Sequence, residues 1–237
     1  MGLMEDLIYL ISADVFTDKG LFDIWYEKVD QQRKNRIDKT RSGSDKRLLL
    51  GAGVLLDFVM QRCGIKDPEF EYRERNKPYL KGRDDFYFNI SHSGNMVALA
   101  VSDKEVGLDI EKERSFNEAL RKRVFGSEDR LLLNEIEKTI EDGNTDIACT
   151  CLWTVKESIM KYTGMGLLMD PSKIKLFYRD NAKKTLCAEH EEIDLNRLSF
   201  GLFNLPGYRM CVCSEKNASD FVVKNVLVDA KYIRFFE

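Results

Sequence analysis

The most regular pattern of apolar and polar positions lies near the middle of the chain. An apolar run over 96–101 and a polar turn over 102–105 precede the alternating segment 106–111. Successive side chains of a strand point to opposite faces, so Asp109 and Glu111 share one face while the apolar side chains between them share the other. The pattern therefore predicts a β-hairpin whose second strand presents both carboxylates on one side.

Helical periodicity accounts for most of the other long segments. It predicts one or two polar helices over 21–41, a largely apolar core helix over 45–63, and further helices over 117–140 and 146–163. In the last of these, the apolar side chains at helical spacing form a stripe that should face the core: Ala148, Leu152, Val155, Ile159 and Tyr162. The opposite face of this helix is polar and is available for a site.

Shorter strand-like segments complete the pattern in both halves of the chain. They are predicted over 7–13, 70–75 and 86–90, then over 174–178, 186–188, 198–202 and 209–213, with turns at 77–79 and 81–83. The order of strand, helices and sheet thus occurs roughly twice, without a literal repeat. This order predicts an α+β fold of two lobes, 1–104 and 105–237, each with a small antiparallel sheet packed against helices.

Composition excludes several classes of protein. The chain has 237 residues, of which 43% are hydrophobic, and a net charge of -3 that gives no general attraction to nucleic acid or anionic membranes. The apolar run 7–11 is too short to span a bilayer and follows Glu5 and Asp6 instead of basic residues, so we expect a cytoplasmic protein. Six cysteines without a Cys-x-x-Cys pair, and only two histidines, predict buried reduced thiols and neither a zinc site nor a disulfide framework.

Two groups of polar residues have the composition of a metal or phosphate site. Asp109 and Glu111 repel each other on a shared strand face unless water, an arginine or a cation separates them, and a solvated strand edge is the simpler interpretation. Glu157 and Lys161 are spaced as an exposed helical ion pair. Trp153, however, lies on the same outer face of the helix, and a tryptophan there indicates that the face is covered.

A histidine and a basic segment add groups that bind anions. His92 lies among serines and a glycine in the segment 88–94, where an imidazole has room to donate to a phosphate oxygen, although a turn histidine is the plainer alternative. The segment 33–47 is strongly basic in a mildly acidic chain. It is either a solvated helix face or a receptor for a phosphorylated ligand, and its lack of aromatic residues disfavours a platform for single-stranded nucleic acid.

Taken in chain order, these segments resemble the surfactin-synthetase type of 4'-phosphopantetheinyl transferase. The resemblance rests on the stretches RLLLG at 47–51, KPY at 77–79, FNISHSG at 88–94, VGLDIEK at 106–112 and WTVKESIMK at 153–161. The last two stretches are the most specific. The resemblance implies an α+β fold of two lobes related by a pseudo-twofold axis, with coenzyme A and Mg²⁺ bound between them.

The resemblance also implies a role for the candidate site residues. Asp109, Glu111 and Glu157 match the carboxylates that hold the metal ion. Lys161 matches the active-site lysine, and His92 matches a contact to the pyrophosphate of coenzyme A. All of these residues would belong to the second lobe except His92, which would belong to the first, coenzyme-binding lobe.

The coenzyme pocket is matched by a second group of residues. Lys77 and Pro78 correspond to the loop that lines this pocket, while Arg47 and Ser91 correspond to residues near the 3'-phosphate of the nucleotide. The upstream basic residues align poorly and are only candidates for the same phosphate: Arg33, Lys34 and Arg36.

A second departure from the family follows Phe125. The family usually has a glutamate four residues later, where this chain has Asp129, with Glu128 one place earlier. The role of these two acids therefore stays open.

The implied activity is transfer of 4'-phosphopantetheine from coenzyme A to a serine of an apo acyl or peptidyl carrier protein, with release of 3',5'-ADP. Glu157 would accept the serine proton, while Lys161 and His92 would stabilise the phosphoryl oxygens. We expect a monomer that binds neither nucleic acid nor membrane, with a carrier docking near 116–133. A magnesium-dependent phosphodiesterase or nuclease, and a non-catalytic coenzyme-binding module, are the alternatives.

Overall fold

The chain alternates helices with short strands. The computed structural model of the protein describes residues 5–72, 77–140, 143–180, 184–229, 231 and 233–236. The helices in these ranges are α1 (Lys19–Lys28), α2 (Gln31–Lys39), α3 (Gly43–Arg62), α4 (Glu118–Val124), α5 (Asp129–Glu137) and α6 (Thr145–Tyr162). The strands are β1 (Leu7–Ser12), β2 (Phe70–Tyr72), β3 (Pro78–Leu80), β4 (Tyr87–Ser93), β5 (Met96–Ser102), β6 (Val106–Lys112), β7 (Lys175–Tyr178), β8 (Leu186–Glu189), β9 (Ser199–Leu205), β10 (Tyr208–Ser214), β11 (Val222–Val228) and β12 (Ile233–Phe236).

The first lobe is a five-stranded sheet covered by the apolar helix α3. The strand order is β12-β11-β1-β5-β4, antiparallel except for the parallel pair of β1 and β11. Ser42 caps α3 by accepting a hydrogen bond from the N–H of Asp45, which satisfies one of the free donors at the helix start. Leu50, Leu55 and Val59 of this helix are fully buried against the sheet. The segment predicted as a core helix therefore forms the centre of this lobe.

The second lobe places α6 on a three-stranded antiparallel sheet of order β6-β10-β9. Asn144 caps α6 by accepting hydrogen bonds from the N–H groups of Asp146 and Ile147. The apolar stripe predicted for this helix is buried at Ala148, Leu152, Val155 and Ile159. Helix α5 packs against α6 and β7, and it completes the core of this lobe.

The lobes meet along a shared apolar layer and along β4 and β6. Buried side chains of the layer include Ile8 and Ala98 from the first sheet and Leu108 and Val212 from the second. Side chains of β4 then bind the backbone of β6: Asn89, Ser91 and Ser93 accept hydrogen bonds from the N–H groups of Leu108, Ile110 and Lys112 at 3.1, 3.2 and 3.1 Å. Polar residues at every second position of β4 thus join the two lobes.

The predicted α+β class is confirmed, with local differences. Residues 78 and 79 were expected in a turn but belong to β3, because the backbone of 78–80 pairs with that of 70–72. Of the strand predicted over 70–75, residues 73–75 lie outside the described ranges. The sequence pattern does not predict β11 and β12, which return to the first sheet, and the lobe boundary at 104/105 remains a prediction.

The cysteines and the helices bear on two further expectations. All six cysteines are free thiols, and four are buried, but Cys63 is exposed and Cys151 is half-buried. The expectation of uniformly buried thiols is therefore wrong for Cys63, which follows the last turn of α3 at the surface. Within the described ranges, no helix is long and apolar enough to cross a membrane.

Candidate active site

The hydroxyls of β4 contact the carboxylates of β6. Ser91 Oγ donates to Asp109 Oδ1 at 2.9 Å, and Ser93 Oγ donates to Glu111 Oε2 at 2.6 Å. Both serines belong to the strand, so they are not simple turn residues. Asp109 and Glu111 meet the same neighbouring strand, as the alternation of 106–111 predicts.

The polar face of α6 covers these carboxylates. Lys161 Nζ donates to Asp109 Oδ1 at 2.6 Å and to Ser91 Oγ at 2.7 Å. Trp153 Nε1 donates to Glu111 Oε1 at 3.1 Å. The face carrying Trp153 is therefore covered, as its presence indicates, and Lys161 is not part of an exposed helical pair.

Gly107 allows α6 to approach β6 this closely. A Cβ at this position would lie 2.0 Å from the carbonyl oxygen of Ser158 and 2.6 Å from the backbone nitrogen of Tyr162. Both atoms belong to the helix backbone, which cannot rotate away as a side chain can. The glycine two residues before Asp109 thus sets the distance between the strand carboxylates and the helix.

Glu157 completes a cluster of carboxylates. Its side chain is half-buried on the polar face of α6. Burial raises the pKa of Glu157 to about 7, and the charges of Asp109 and, to a smaller extent, Glu111 also raise it, whereas Lys161 and Arg114 oppose the rise. The charges of Asp109 and Glu111 on β6 thus act on Glu157 of α6.

The cluster has the donor set of a divalent-cation site. Asp109 is 2% exposed, and its Oδ2 is buried with no hydrogen-bond partner among the described residues. A buried carboxylate oxygen without a partner is costly, and a bound cation is a group that satisfies it. Oxygen ligands of this type suit Mg²⁺. In the described ranges, no group of three or more His, Cys, Asp or Glu side chains is arranged to hold a metal ion, so the metal ion remains a proposal.

A cavity between β4 and α2 is lined by charges of both signs: the cations Lys28, Arg33 and Arg36, and the acids Asp30, Asp57, Asp67 and Glu69. The cavity lies along β4 and has a volume of about 650 Å³. His92 stands at the exposed end of β4. Desolvation by the surrounding protein lowers the pKa of His92, and the charges of Lys161, Arg36 and Arg33 lower it further. The histidine therefore lies in the field of cations from both sides.

Arg33 is held against α3 by a second glycine. A Cβ at Gly53 would lie 3.1 Å from Cγ of Arg33, so the arginine stem crosses the helix where there is no side chain. Asp57 lies one turn further along α3 and lines the same cavity. Burial raises the pKa of Asp57 to about 6, Asp30 adds to this rise, and Arg33 opposes it. These acids orient and partly neutralise the arginine.

Other predicted phosphate contacts lie elsewhere. Lys34 Nζ donates to Glu27 Oε2 at 2.8 Å, and Lys34 does not line the cavity that contains both arginines of α2. Arg47 is half-buried in the early turns of α3 and does not line this cavity either. Ser91 belongs to the carboxylate cluster. Of the basic candidates in 33–47, the structure thus brings Arg33 and Arg36 to one cavity.

Lys77 and Pro78 line a smaller cavity of about 210 Å³ beside Lys161. The ammonium of Lys77 donates to Glu105 Oε1 at 2.5 Å, to the carbonyl of Val106 at 2.9 Å and to the carbonyl of Tyr162 at 3.2 Å. An ammonium has three N–H groups, so these contacts use all of them. Lys77 therefore fastens its loop to β6 and α6, and its stem and backbone are what remain for a ligand.

A buried ion pair was not predicted from the sequence. Lys156 Nζ donates to Asp129 Oδ2 at 2.5 Å, and the two side chains are 0% and 1% exposed. Asp129 also accepts from the N–H groups of Gly126 and Leu176. Asp129 thus joins α5 to α6, while Glu128 is exposed. The signal available in the sequence was a lysine beside the apolar stripe of α6.

Comparison with known proteins identifies the class. A model of the 4'-phosphopantetheinyl transferase superfamily matches residues 105–213, and a model of the N-terminal part of 4'-phosphopantetheinyl transferase matches residues 18–104. A 4'-phosphopantetheinyl transferase of Bacillus subtilis is 31% identical over 178 residues, which cover 73% of this chain and 77% of that protein. The chain therefore belongs to the 4'-phosphopantetheinyl transferase superfamily.

Further relatives place it within the superfamily. The transferase Sfp of Bacillus subtilis (strain 168) is 28% identical over 172 residues, covering 71% of this chain and 73% of that protein. The transferase gsp of Aneurinibacillus migulanus is 24% identical over 209 residues, covering 83% and 81%. The resemblance to the surfactin-synthetase type is confirmed, and the protein is an enzyme of this class. The phosphodiesterase and non-catalytic alternatives have no support.

Proposed function

We propose that the protein transfers 4'-phosphopantetheine from coenzyme A to a serine of an apo acyl or peptidyl carrier protein and releases 3',5'-ADP. The observation that carries the proposal is the contact of Lys161 with Asp109 where the lobes join, with Glu111 two residues further along β6 and Glu157 one turn from Lys161 on the same face of α6. Clustered carboxylates with an adjacent lysine favour phosphoryl transfer assisted by a cation. Membership of the superfamily supports the same reaction.

The cavity beside α2 supports one orientation of coenzyme A in the site. We assign its nucleotide to the cavity with Arg33 and Arg36, because guanidinium groups bind phosphate through paired N–H donors. Pro78 lines both this cavity and the smaller one beside Lys161, so it would border the adenosine. His92, between the two groups of cations, would then donate to the pyrophosphate.

We assign Mg²⁺ to the carboxylate cluster. Asp109, Glu111 and Glu157 would hold the ion, and the unpartnered Oδ2 of Asp109 is the atom that most needs it. When bound, the ion neutralises charge on the pyrophosphate and on the departing 3',5'-ADP.

The protein's own groups then have separate tasks. Lys161 uses hydrogen bonds to Asp109 and Ser91 to fix its ammonium, and a third N–H is available for an oxygen of the transferred phosphoryl group. His92 donates to the pyrophosphate. Glu157 accepts the proton of the serine hydroxyl as the oxygen attacks phosphorus. The covered face of α6 limits the access of water to this centre.

The partner and the assembly are also proposals. Leu131 of α5 is 74% exposed, and α4 and α5 also carry the exposed Arg123 and Arg130, whereas Lys122 forms an ion pair with Glu118. An apolar contact with basic neighbours suits an acidic carrier helix. We infer a monomer, because one chain supplies the whole site, and a cytoplasmic protein, because the thiols are free.

Intact-mass spectrometry of a carrier protein tests the function. Incubation with coenzyme A, Mg²⁺ and an apo acyl carrier protein should add one phosphopantetheine to the carrier and release an equal amount of 3',5'-ADP. A carrier with its acceptor serine changed to alanine is the control and should stay unmodified. Cleavage of coenzyme A without any carrier, or binding of coenzyme A that leaves the carrier unchanged, would contradict the proposal.

A further inference from the structure

The turn between β4 and β5 carries a contact between the lobes beside the active site. Gly94 and Asn95 form this turn, which follows directly on His92 and Ser93. Tyr208 at the start of β10 reaches the turn from the second lobe. Its hydroxyl accepts a hydrogen bond from the N–H of Asn95 at 3.1 Å and donates to Oδ1 of the same residue. This tyrosine has no role in the function proposed above.

Tyr208 lies on the opposite face of its sheet from the carboxylates. It pairs with Lys112 of β6, whereas the next residue of β10 pairs with Glu111. Directly paired residues of antiparallel strands point to the same face, and successive residues alternate. The ring of Tyr208 is accordingly buried in the apolar layer between the lobes. The tyrosine therefore faces away from a ligand bound at the carboxylates, and its hydroxyl acts on the site through the turn that it holds.

Asn95 is fastened from the first lobe as well. Its side-chain N–H donates to Oδ2 of Asp14, and its carbonyl accepts a hydrogen bond from the N–H of Ala13 at 2.7 Å. Together with the two contacts to Tyr208, these bonds use the backbone N–H, the backbone carbonyl and both ends of the side-chain amide. The turn is thus fixed between the segment that follows β1 and the start of β10.

Gly94 allows the hydroxyl to come this close to the turn. Its φ of +60° lies in the left-handed region, which a glycine adopts at no steric cost. A Cβ at this position would lie 2.4 Å from the hydroxyl oxygen of Tyr208 and 2.9 Å from Cδ of Lys112. A side chain there would push the turn away from the second lobe.

The turn holds the end of the strand that contacts Glu111. Just before the turn, Ser93 donates to Oε2 of Glu111 at 2.6 Å and accepts a hydrogen bond from the N–H of Lys112 at 3.1 Å. Strand β4 is the last strand of its sheet and belongs to a different sheet from β6, so side chains and not a backbone ladder join the two. The position of Ser93 therefore depends on what fixes the end of β4.

We propose that Tyr208 is a positioning residue for Glu111 and acts through Asn95 and Ser93. The inference rests on the proposed function, because Glu111 matters for transfer as a ligand of the proposed cation. Loss of the hydroxyl leaves the N–H and Oδ1 of Asn95 without their partner, and a loosened turn lets Ser93 leave the carboxylate. Glu111 then holds its orientation less firmly, so the protein needs more Mg²⁺ to reach the same rate.

Amide hydrogen exchange in Tyr208→Phe tests the position of β4 without any turnover. The N–H groups of Leu108 and Lys112 donate to side chains at different points of β4, Asn89 and Ser93. Exchange at Lys112, measured by NMR, should become roughly tenfold faster relative to exchange at Leu108, because only the end of β4 is released. A general loss of stability would accelerate both amides alike and leave their ratio unchanged.

The Mg²⁺ dependence of carrier modification gives a second reading. The Mg²⁺ concentration for half-maximal rate should rise roughly tenfold in Tyr208→Phe, while kcat at saturating Mg²⁺ stays within about twofold of the parent value. Ser93→Ala should raise this concentration at least as much, and the double variant should exceed Ser93→Ala by less than about twofold, because the hydroxyl acts through the serine. Tyr26→Phe, which removes a hydroxyl bond of 2.9 Å to Asp38, is the control and should change neither reading.

An unchanged ratio of the two exchange rates, or additive effects of the two substitutions on the Mg²⁺ requirement, would overturn the inference. Failure of the proposed function looks different, because the unaltered protein would then leave the carrier unmodified at every Mg²⁺ concentration while the exchange rates remain measurable. Melting temperatures verify that each variant is folded. Asn95→Ala removes the acceptor of the hydroxyl from the other side, and it should change the exchange ratio in the same direction if Tyr208→Phe does not fold.

Discussion

Gly107→Ala gives the sharpest test of how the fold positions the chemistry. The added Cβ would lie 2.0 Å from the carbonyl oxygen of Ser158, whereas ordinary contact begins near 3.4 Å, so α6 must retreat by about 1.4 Å. The bond of 2.6 Å between Lys161 and Asp109 would then lengthen to about 4 Å, beyond hydrogen-bond range. Overpacking of this kind costs about 1–3 kcal/mol of stability. A displacement near 1 Å in a catalytic group costs about 100-fold in rate.

The assay is the turnover of an apo carrier at a temperature where the variant is fully folded, together with urea unfolding. Gly201→Ala is the matched control, because a Cβ there would lie 2.3 Å from the backbone oxygen of Ala218. It should lower stability similarly while turnover by the folded protein stays within a few-fold of normal. The reasoning is refuted if Gly107→Ala retains normal turnover, or if both variants lose turnover equally.

Three further substitutions test other contacts. Lys161→Ala should reduce kcat by about 100- to 1,000-fold while the Kd of coenzyme A changes less, since the charge of Lys161 acts mainly on the transferred phosphoryl group. The reverse pattern in steady-state kinetics would assign Lys161 to coenzyme binding. Lys156→Met should cost about 3–5 kcal/mol in urea unfolding, because it leaves the charge of Asp129 buried without its cation. Asp129→Asn in the same chain should restore part of this loss, because the amide is neutral and its oxygen can still accept a hydrogen bond from the N–H of Gly126 or Leu176. An unchanged unfolding midpoint for Lys156→Met would contradict the pairing. Asp57→Asn should stabilise the protein above pH 6 but not below pH 3.8. The raised pKa of Asp57 means that its ionised form is unfavourable in the folded state, so the parent protein loses stability as pH rises from 3.8 to about 6. Parallel stability profiles for the variant and the parent would contradict this prediction.

Local patterns explain why much of the site could be predicted from the sequence. The alternation around Asp109 fixes which side chains share a strand face, and helical spacing fixes that Glu157 and Lys161 share a helix face. Trp153 indicates that this helix face is covered, and the hydrogen bond from Trp153 to Glu111 of β6 is the contact that covers it. These features depend only on the period of a strand or a helix.

Contacts between distant segments were beyond such patterns. Two such contacts depend on how whole elements pack: the pairing of Lys156 with Asp129, and the hydrogen bonds of Lys77 to the turn before β6, to β6 and to α6. The strands β11 and β12 pair with β1 at the other end of the chain, and no local period reports such a return. The sequence shows polar residues at every second position of β4, but it does not show that they join the lobes.

The central claim is that Asp109, Glu111 and Glu157 share one divalent cation during transfer. Carrier modification measured against Mg²⁺ concentration tests it most directly, with Asp109→Ala and Glu157→Ala beside the unaltered protein and circular dichroism to verify folding. We predict no modification without a divalent cation, and at least a 1,000-fold loss in both variants at saturating Mg²⁺, since several kcal/mol of charge stabilisation disappear. Near-normal turnover by either variant at saturating Mg²⁺ would contradict the account.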